Sequence, residues 1–294
     1  MRISIIIPTK DRPYKIKRLL NQLYNNKFFF NEILVVDSSN VDNKKKLIFI
    51  IKQAELNIKL INSIASISVQ RNKGLKNMKK SNKFFMFLDD DIVFKKNSFV
   101  EMRKFIKKNE RLYIGYGINL ISKIDYGFLE SIKRNKIMEK LGIYNTNIGK
   151  IVRSGWQTKI NNVKKNQEVE WLSTQAVIYA NNKKKINFDN FFKGYSYLED
   201  LDYSYRMSKF GKLIVVKKAM YYHNNNIERK SFSFGQKEFV NRYHFIKKNK
   251  IYTRYFFLGA VVNIFLNLSK LQLLKVLGNI SGLTKILRNN KFNI

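Results

Sequence analysis

Three consecutive carboxylates, Asp89, Asp90 and Asp91, come directly after the apolar run Lys83–Leu88. Neighbouring carboxylates repel one another, and a bound divalent cation removes that repulsion. All-oxygen ligands favour Mg²⁺ or Mn²⁺ over Zn²⁺. Because alternate side chains of an extended segment point the same way, Asp89 and Asp91 can share one ion while Asp90 points elsewhere. An acidic turn that only caps the next helix is the alternative interpretation.

A second acidic pair, Glu199 and Asp200, stands near the start of the predicted helix Leu198–Met207. Carboxylates at a helix start are stabilised by the helix dipole and often only cap the helix. His223 is one of two histidines and follows the short predicted strand Lys212–Val216. A lone histidine is more often structural, but this strand can return His223 to the same edge of the sheet as the carboxylates.

The elements that must position these side chains follow a regular alternation of apolar runs and helical patterns. The predicted strands are Arg2–Ile7, Glu32–Asp37, Ile58–Ile61, Lys83–Leu88 and Leu112–Ile121. The predicted helices are Pro13–Asn25, Asp42–Ala54, Ser66–Lys79 and Ser98–Lys108. This alternation is typical of βαβ units and predicts an α/β fold with a Rossmann-like, mostly parallel sheet and helices on both faces.

Ligands of such sheets bind beyond the carboxyl ends of the strands. Three polar clusters follow predicted strands in this chain: Pro8–Arg12, Asp37–Asn40 and Asp89–Asp91. Strands that lie side by side bring these clusters to one edge. The sequence therefore predicts a binding site there.

Beyond these strands the pattern is less regular. Between Lys123 and Glu168 the chain is polar and poorly periodic, which predicts an irregular connection with a helix at Gly127–Leu141. Val169–Tyr179 is compatible with one further strand. We expect two domains, residues 1–228 with the binding site and residues 229–294 as a basic, partly amphipathic helical C-terminal segment.

That C-terminal segment has thirteen Lys and Arg and one acidic residue, Glu238. Its apolar stretch Tyr255–Leu268 is shorter than the roughly 20 residues that a helix needs to cross a bilayer. Basic amphipathic helices favour peripheral contact with an anionic membrane. Helices that pack on the domain with the predicted binding site are the alternative. The N-terminus shows no signal-peptide pattern, so we expect a cytoplasmic protein, with peripheral attachment to the inner face of the membrane as a second option.

The composition limits the function classes. The 294 residues include 57 Lys and Arg, 21 Asp and Glu and no Cys, which gives a formal net charge of +36. The absence of Cys excludes disulfides, thiolate zinc sites and a cysteine nucleophile. The positive charge favours partners with phosphate groups. Because the lysines are spread along the whole chain rather than concentrated, the charge alone argues weakly for nucleic acid.

Five segments, taken in order, resemble the motifs of family 2 glycosyltransferases with the GT-A fold. They are Ser4–Pro13, Ile33–Asp37, Arg71–Gly74, Phe87–Ile92 and Tyr197–Arg206, and the resemblance extends over about residues 1 to 224. Each motif alone is a weak indication of the family. All five in the family's order, each in a matching strand or helix context, are a specific one. The resemblance implies an inverting transfer of a sugar from a nucleotide-sugar donor to a hydroxyl group.

The resemblance also implies roles for individual residues. Asp200 would be the general base and Glu199 would support acceptor binding. Asp91, Asp89 and His223 would hold Mn²⁺ or Mg²⁺, and Trp171 would lie near the sugar or acceptor. The nucleotide-sugar would be bound by Pro8, Thr9, Asp11, Asp37, Arg71, Asp89 and Asp90.

Two positions depart from the family pattern: Ser38 stands where a second acid is common after Asp37, and Ser173–Ala176 lacks a common glycine. We expect a UDP- or dTDP-sugar donor and a glycan or lipid-linked acceptor used in cell-surface polysaccharide synthesis. A nucleotidyltransferase on a related sheet is one alternative, although Pro8–Pro13 contains no glycine to cradle phosphate. A non-enzymatic basic protein that binds nucleic acid or anionic lipid is the other.

Overall fold

The computed structural model describes residues 2–122, 136–181, 186–192, 196–223, 229–251 and 253–291. The chain forms two compact units, Met1–Ser122 with Ile160–Asn224, and Lys123–Lys159 with Asn225–Ile294. The predicted boundary between residues 228 and 229 stays a prediction. Each unit is described by itself below.

A mixed sheet of nine strands forms the centre of the described part of the first unit. The strands are β1 Ile3–Thr9, β2 Glu32–Asp37, β3 Ile58–Asn62, β4 Phe84–Leu88, β5 Ile92–Phe94, β6 Tyr113–Leu120, β7 Gln167–Val169, β8 Ala176–Ala180 and β9 Lys212–His223. Their order is β3-β2-β1-β4-β8-β6-β9-β5, and β7 also pairs with β9. The pairs β1–β2, β1–β4, β2–β3 and β6–β9 are parallel.

The helices of this unit are α1 Pro13–Tyr24, α2 Val41–Gln53, α3 Ile67–Asn77 and α4 Ser98–Asn109, and a 3₁₀ turn covers Lys27–Phe29. Glu199–Ser208 forms a later helix, which we number α6 because a short helix of the other unit precedes it in the chain. Alternating strands and helices therefore confirm the predicted α/β fold. Completely buried residues such as Ile5, Val35 and Met86 form the core of the sheet.

Two strand predictions need correction. Val169–Tyr179 is not one strand, because it divides into the end of β7 and most of β8, and β8 lies antiparallel to both β4 and β6. The predicted strand Lys212–Val216 continues to His223 through a register shift opposite Ile118 and Asn119. This irregularity lets the exposed Lys217 and Lys218 interrupt the apolar pattern without ending the strand.

Strand β5 was not predicted at all, since three residues are too few to show a periodic pattern. Its register places Ile92 opposite His223 on the antiparallel strand β9. This pairing sets the position of the histidine, because Asp91 immediately precedes Ile92.

Pro8 lies inside β1, where a proline would normally break a ladder. The pairing of β1 with β4 ends at Ile6 and Phe87, while the pairing with β2 continues through Pro8 and Val36. Pro8 lacks a backbone N–H, but it lies beyond the last residue pair between β1 and β4. Its position therefore costs the sheet no hydrogen bond to β4. Beyond Ile6 and Phe87, β1 and β4 are no longer paired in the sheet.

Helix α3 packs closely on β1 at Gly74. A Cβ atom added there would lie 2.3 Å from Cγ2 of the fully buried Ile6. We expect Gly74→Ala to lower the free energy of unfolding by about 1–3 kcal/mol, because overpacking of a buried site forces neighbours out of their rotamers. Urea unfolding measures the change. Lys76→Ala on the exposed face of the same helix is the control, and equal stability of the two variants would contradict this account of the packing.

The described part of the second unit is mainly helical, with α5 Lys136–Lys140, α7 Phe232–Lys248, α8 Thr253–Leu268 and α9 Leu273–Lys291. In the described part of the predicted helical C-terminal segment, the structure has three helices, α7, α8 and α9. The proposed helix Gly127–Leu141 lies partly outside the described residues, and its described part forms α5.

Glycines bring α7 and α9 into close contact. A Cβ atom on Gly235 would lie 2.2 Å from the backbone oxygen of Lys275, and one on Gly278 would lie 2.1 Å from that of Phe232. Arg242 of α7 lies above the Trp156 ring at 4.5 Å from its centroid.

No helix in the described part of the chain is both long enough and apolar enough to cross a bilayer.

Candidate active site

The three polar clusters predicted to converge do so at one edge of the sheet. The Thr9 hydroxyl donates to the buried Asp90 carboxylate at 2.6 Å, which joins the ends of β1 and β4. Asp11 accepts from the backbone N–H of Asn40 at 2.9 Å, which joins the segments after β1 and β2. Buried Gln70 of α3 donates to the carbonyls of Thr9 and Val36, both at 2.8 Å, where β1 and β2 end.

The three adjacent carboxylates have different partners. Asp89 accepts from Arg71 at 3.0 Å, Asp90 accepts from Thr9 and Arg12, and Asp91 accepts from His223 at 2.7 Å. Burial raises the pKa of Asp89 against the opposing charge of Arg71. Burial also acts to raise the pKa of Asp91, but hydrogen bonds from His223 and Lys15 outweigh it and lower that pKa to about 2. Asp91 therefore stays anionic at neutral pH.

Asp89, Asp91 and His223 form a set of side chains that suits a divalent cation. One donor atom from each lies within 4.8 Å of the others. Two carboxylate oxygens and an imidazole nitrogen are acceptable ligands for Mn²⁺, and oxygen-rich sets also accept Mg²⁺. The donor chemistry thus fits the predicted metal, and the structure brings together all three residues that the resemblance implied.

A chain of hydrogen bonds orients the His223 ring. The Tyr221 hydroxyl donates to Gln175 at 3.0 Å, and the Gln175 amide lies 3.2 Å from Nδ1 of His223. Gln175 itself lies beside the carboxylates, because its backbone carbonyl accepts a hydrogen bond from the backbone N–H of Asp89 at 2.9 Å. Partners of this kind fix the orientation of a ligating histidine.

Arg71 links the metal-ligand cluster to the second acidic pair. Its side chain is 2% exposed, and its guanidinium contacts Asp89 and Glu199, both at 3.0 Å. Burial and the neighbouring Asp200 charge raise the pKa of Glu199, while Arg71 opposes the rise. The pKa of Tyr221 is raised mainly by burial and also by the negative charges of Asp89 and Asp200. Because Arg71 contacts both Asp89 and Glu199, and Asp200 follows Glu199 in the chain, the second acidic pair lies beside the metal-ligand cluster.

The backbone before α6 directs the acidic pair. Leu198 is buried and has a φ of 74°, a left-handed conformation that is costly for a bulky residue. Strain of this kind costs about 1–3 kcal/mol and concentrates at functional sites. Glu199 is buried, whereas Asp200 is only partly buried, so the two neighbouring carboxylates have different access to a ligand.

Two cations at the start of α1 were not among the individually predicted site residues: Arg12, which is the N-cap and ends the predicted polar cluster Pro8–Arg12, and Lys15 in the first turn. Arg12 lies 3.0 Å from Asp90 and 3.2 Å from Asp91, and Lys15 lies 3.2 Å from Asp91. Lys15 is one helical turn after Arg12, so both face the carboxylates from the first turn of α1. Arg12 ends the polar segment after β1, whereas nothing in the sequence distinguishes Lys15 from the other lysines.

Two further predicted residues have known surroundings and untested roles. Asp37 is buried, and its carboxylate accepts from the backbone N–H of Ser39 at 3.1 Å, so it orders the turn after β2. Trp171 lies between β7 and β8 with 8% of its surface exposed. Base recognition by Asp37 and acceptor contact by Trp171 stay predictions.

Comparison with known proteins decides the family. The family model described as glycosyl transferase family 2 matches residues 4–169, which is more than half of the chain. The chain belongs to glycosyltransferase family 2. It is therefore a nucleotide-sugar glycosyltransferase, as the ordered motifs predicted. No curated protein matches the sequence.

Solved glycosyltransferases share the fold. TarS 1-349 from S. aureus in complex with UDP-GlcNAc is similar with a TM-score of 0.55 at 17% identity, over 90% of this chain and 71% of that chain. GalNAc-T7 with UDP, GalNAc and Mn²⁺ is similar with a TM-score of 0.55 at 13% identity, over 77% of this chain and 44% of that chain. Likeness at such low identity establishes the GT-A fold alone.

Proposed function

We propose that this family 2 glycosyltransferase is metal-dependent and inverting, and that it transfers a sugar from a UDP- or dTDP-sugar to a hydroxyl of a glycan or lipid-linked acceptor. The observation that carries the proposal is the cluster of Asp89, Asp91 and His223, joined through Arg71 to Glu199 beside Asp200. This arrangement has a candidate cation site next to a candidate general base.

The donor side of the proposal rests on the edge between β1 and β4. Thr9, Asp11 and Asp90 are held by hydrogen bonds at the ends of these strands and of β2, where nucleotides bind in α/β sheets. Pro8, Asp37 and Arg71 complete the proposed nucleotide-sugar site with Asp89. The UDP-GlcNAc in the TarS complex supports a uridine nucleotide.

Asp89, Asp91 and His223 would hold Mn²⁺ or Mg²⁺ at this edge. A divalent cation supplies positive charge that stabilises the departing diphosphate. The Mn²⁺ in the GalNAc-T7 structure supports this choice of metal. The chain adds its own cations, since Arg12 and Lys15 lie beside Asp91 and can turn toward a diphosphate group.

The transfer step follows from the second acidic pair. Asp200 removes the proton from the acceptor hydroxyl, whose oxygen then forms a bond to the anomeric carbon. The bond from that carbon to the diphosphate oxygen breaks, and the nucleoside diphosphate leaves with the electron pair. Attack from the face opposite the leaving group inverts the configuration. Glu199 supports the acceptor and is itself held by Arg71.

The proposed acceptor is a cell-surface glycan or its lipid-linked precursor, which fits a cytoplasmic enzyme with peripheral membrane contact. This part rests on the family and on the basic C-terminal segment. Retention of the full-length protein in the soluble fraction at low salt would count against it.

Product analysis distinguishes the proposed reaction from the two alternatives. Purified protein is incubated with UDP-, dTDP-, GDP- and CMP-sugars with Mn²⁺ or with EDTA, and released nucleotide is measured by chromatography. We expect UDP or dTDP from the matching donor, with Mn²⁺ only. Pyrophosphate as the product would indicate a nucleotidyltransferase. No product and no donor binding would indicate a non-enzymatic binding protein.

Lys15→Gln is expected to strengthen Mn²⁺ binding about two- to fivefold. Lys15 occupies an Asp91 oxygen at 3.2 Å with a side chain that is 43% exposed, and partly exposed ion pairs contribute about 0.2–1 kcal/mol. Its removal frees the carboxylate for the metal. Titration followed by Mn²⁺ electron paramagnetic resonance measures the Kd. Lys17→Gln on the outer face of α1 is the control, and an unchanged or weaker Kd in Lys15→Gln would show that the lysine does not compete.

A further inference from the structure

Helix α8 exposes a continuous apolar stripe. Leu258, Val261, Phe265 and Leu268 are all exposed and recur at intervals of three, four and three residues, so they share one helical face. Phe265 is 66% exposed. Large apolar side chains in such a row are uncommon on a surface that only water contacts.

Further exposed apolar residues follow along the chain in the turn after α8 and in α9. Leu271, in the turn between the two helices, is 83% exposed. In the first half of α9 the exposed apolar residues are Leu273, Leu274, Leu277 and Ile280. We call these exposed residues of α8, the turn and α9 the α8–α9 apolar surface.

Packing on the other side holds these side chains outward. Asn267 of α8 donates to Asn279 of α9 at 3.0 Å, and Asn279 donates to the carbonyl of Gly235 on α7 at 2.9 Å. These amides are buried. The helices therefore cannot bury the apolar surface by rotating without breaking buried hydrogen bonds.

The positive charge around the α8–α9 apolar surface indicates what kind of partner can bind there. No acidic residue follows Glu238, while exposed Lys270, Lys285 and Arg288 lie on the turn and α9. A second copy of the chain would bring two such basic surfaces together, and their like charges would repel. An anionic surface with an apolar layer beneath it complements both features.

We propose that the α8–α9 apolar surface binds an anionic lipid bilayer, with the helices in the plane of the interface. Phe265, Leu271 and Leu274 enter the boundary between headgroups and acyl chains, and the lysines and the arginine contact lipid phosphates. This inference rests on the peripheral membrane contact in the proposed function and names the surface that makes it. It is independent of the transfer reaction, because its residues lie outside the active site.

Vesicle sedimentation tests the proposal with the full chain. The vesicles contain phosphatidylcholine alone or phosphatidylcholine and phosphatidylglycerol in equal parts. We expect the wild type to bind the anionic vesicles at least about tenfold more strongly, because basic residues near an anionic surface contribute to binding. The triple variant F265S/L271S/L274S should lose about tenfold of that binding, since buried apolar area drives insertion. K270Q/K285Q/R288Q should lose the preference for anionic lipid.

Phe28→Ser is the matched control, because Phe28 is 84% exposed and lies in the first unit on the Lys27–Phe29 turn. It should bind vesicles as the wild type does. Circular dichroism checks that each variant is folded. Equal vesicle binding by wild type and F265S/L271S/L274S, or no binding by either, would overturn the proposal. A wild-type dimer in sedimentation equilibrium that this triple variant dissociates would assign the surface to a second copy instead.

Discussion

Asp200→Asn is expected to lower kcat for sugar transfer about 100- to 10 000-fold, the usual contribution of a general base. The amide has nearly the same shape as the carboxylate and cannot accept the acceptor proton. The Kd of the donor should stay within about twofold, because the donor site is built from residues at the ends of β1, β2 and β4.

Released nucleoside diphosphate and donor calorimetry measure these two quantities separately. Asp42→Asn is the matched control, since Asp42 is an exposed carboxylate in the first turn of α2. It should retain wild-type kcat. If Asp200→Asn kept near-wild-type turnover, Asp200 would not be the base. If it lost donor binding and turnover together, its carboxylate would hold the donor.

Arg71→Met is expected to lower the free energy of unfolding by about 3–5 kcal/mol, because it leaves buried carboxylates without their counter-charge. Arg71 is 2% exposed and pairs with Asp89 and Glu199 at 3.0 Å each. Its guanidinium also lies 5.4 Å from the centre of the Phe188 ring. No other described side chain contacts both carboxylates in this way.

Urea unfolding of three proteins tests this effect. Arg111→Met, an exposed arginine in the turn before β6, should change stability by less than about 0.5 kcal/mol. The double variant R71M/E199Q should regain part of the lost stability, since one unpaired charge is gone. Equal losses in R71M and R71M/E199Q would contradict the assignment of the effect to Glu199.

The sequence predicted those features that depend on local pattern. Apolar runs such as Glu32–Asp37 and Lys83–Leu88 are long enough to predict strands, and the polar residues that follow them predict the edge where ligands bind. Parallel order of β1, β2, β3 and β4 then brings Thr9, Asp11 and Asp90 together. The metal ligands were inferred through the family resemblance, and the structure places Asp89, Asp91 and His223 within reach of one ion.

What the sequence did not predict depends on register between distant segments. His223 faces Asp91 because β5 pairs antiparallel with the far end of β9, and no local pattern contains that information. Gln175 reaches His223 because β8 enters the sheet antiparallel beside β4. Lys15 looked like any other lysine in a chain with 57 Lys and Arg, and only its contact with Asp91 distinguishes it.

We expect Asp89, Asp91 and His223 to bind one divalent cation beside the donor. Electron spin-echo measurements on bound Mn²⁺ test it most directly, because an imidazole nitrogen in the first coordination sphere gives a distinct coupling. The chain has two histidines, which makes the assignment simple. We expect a nitrogen coupling that is kept in His244→Gln and lost in His223→Gln. A coupling that persists in His223→Gln, or no bound Mn²⁺ in the wild type, would contradict it.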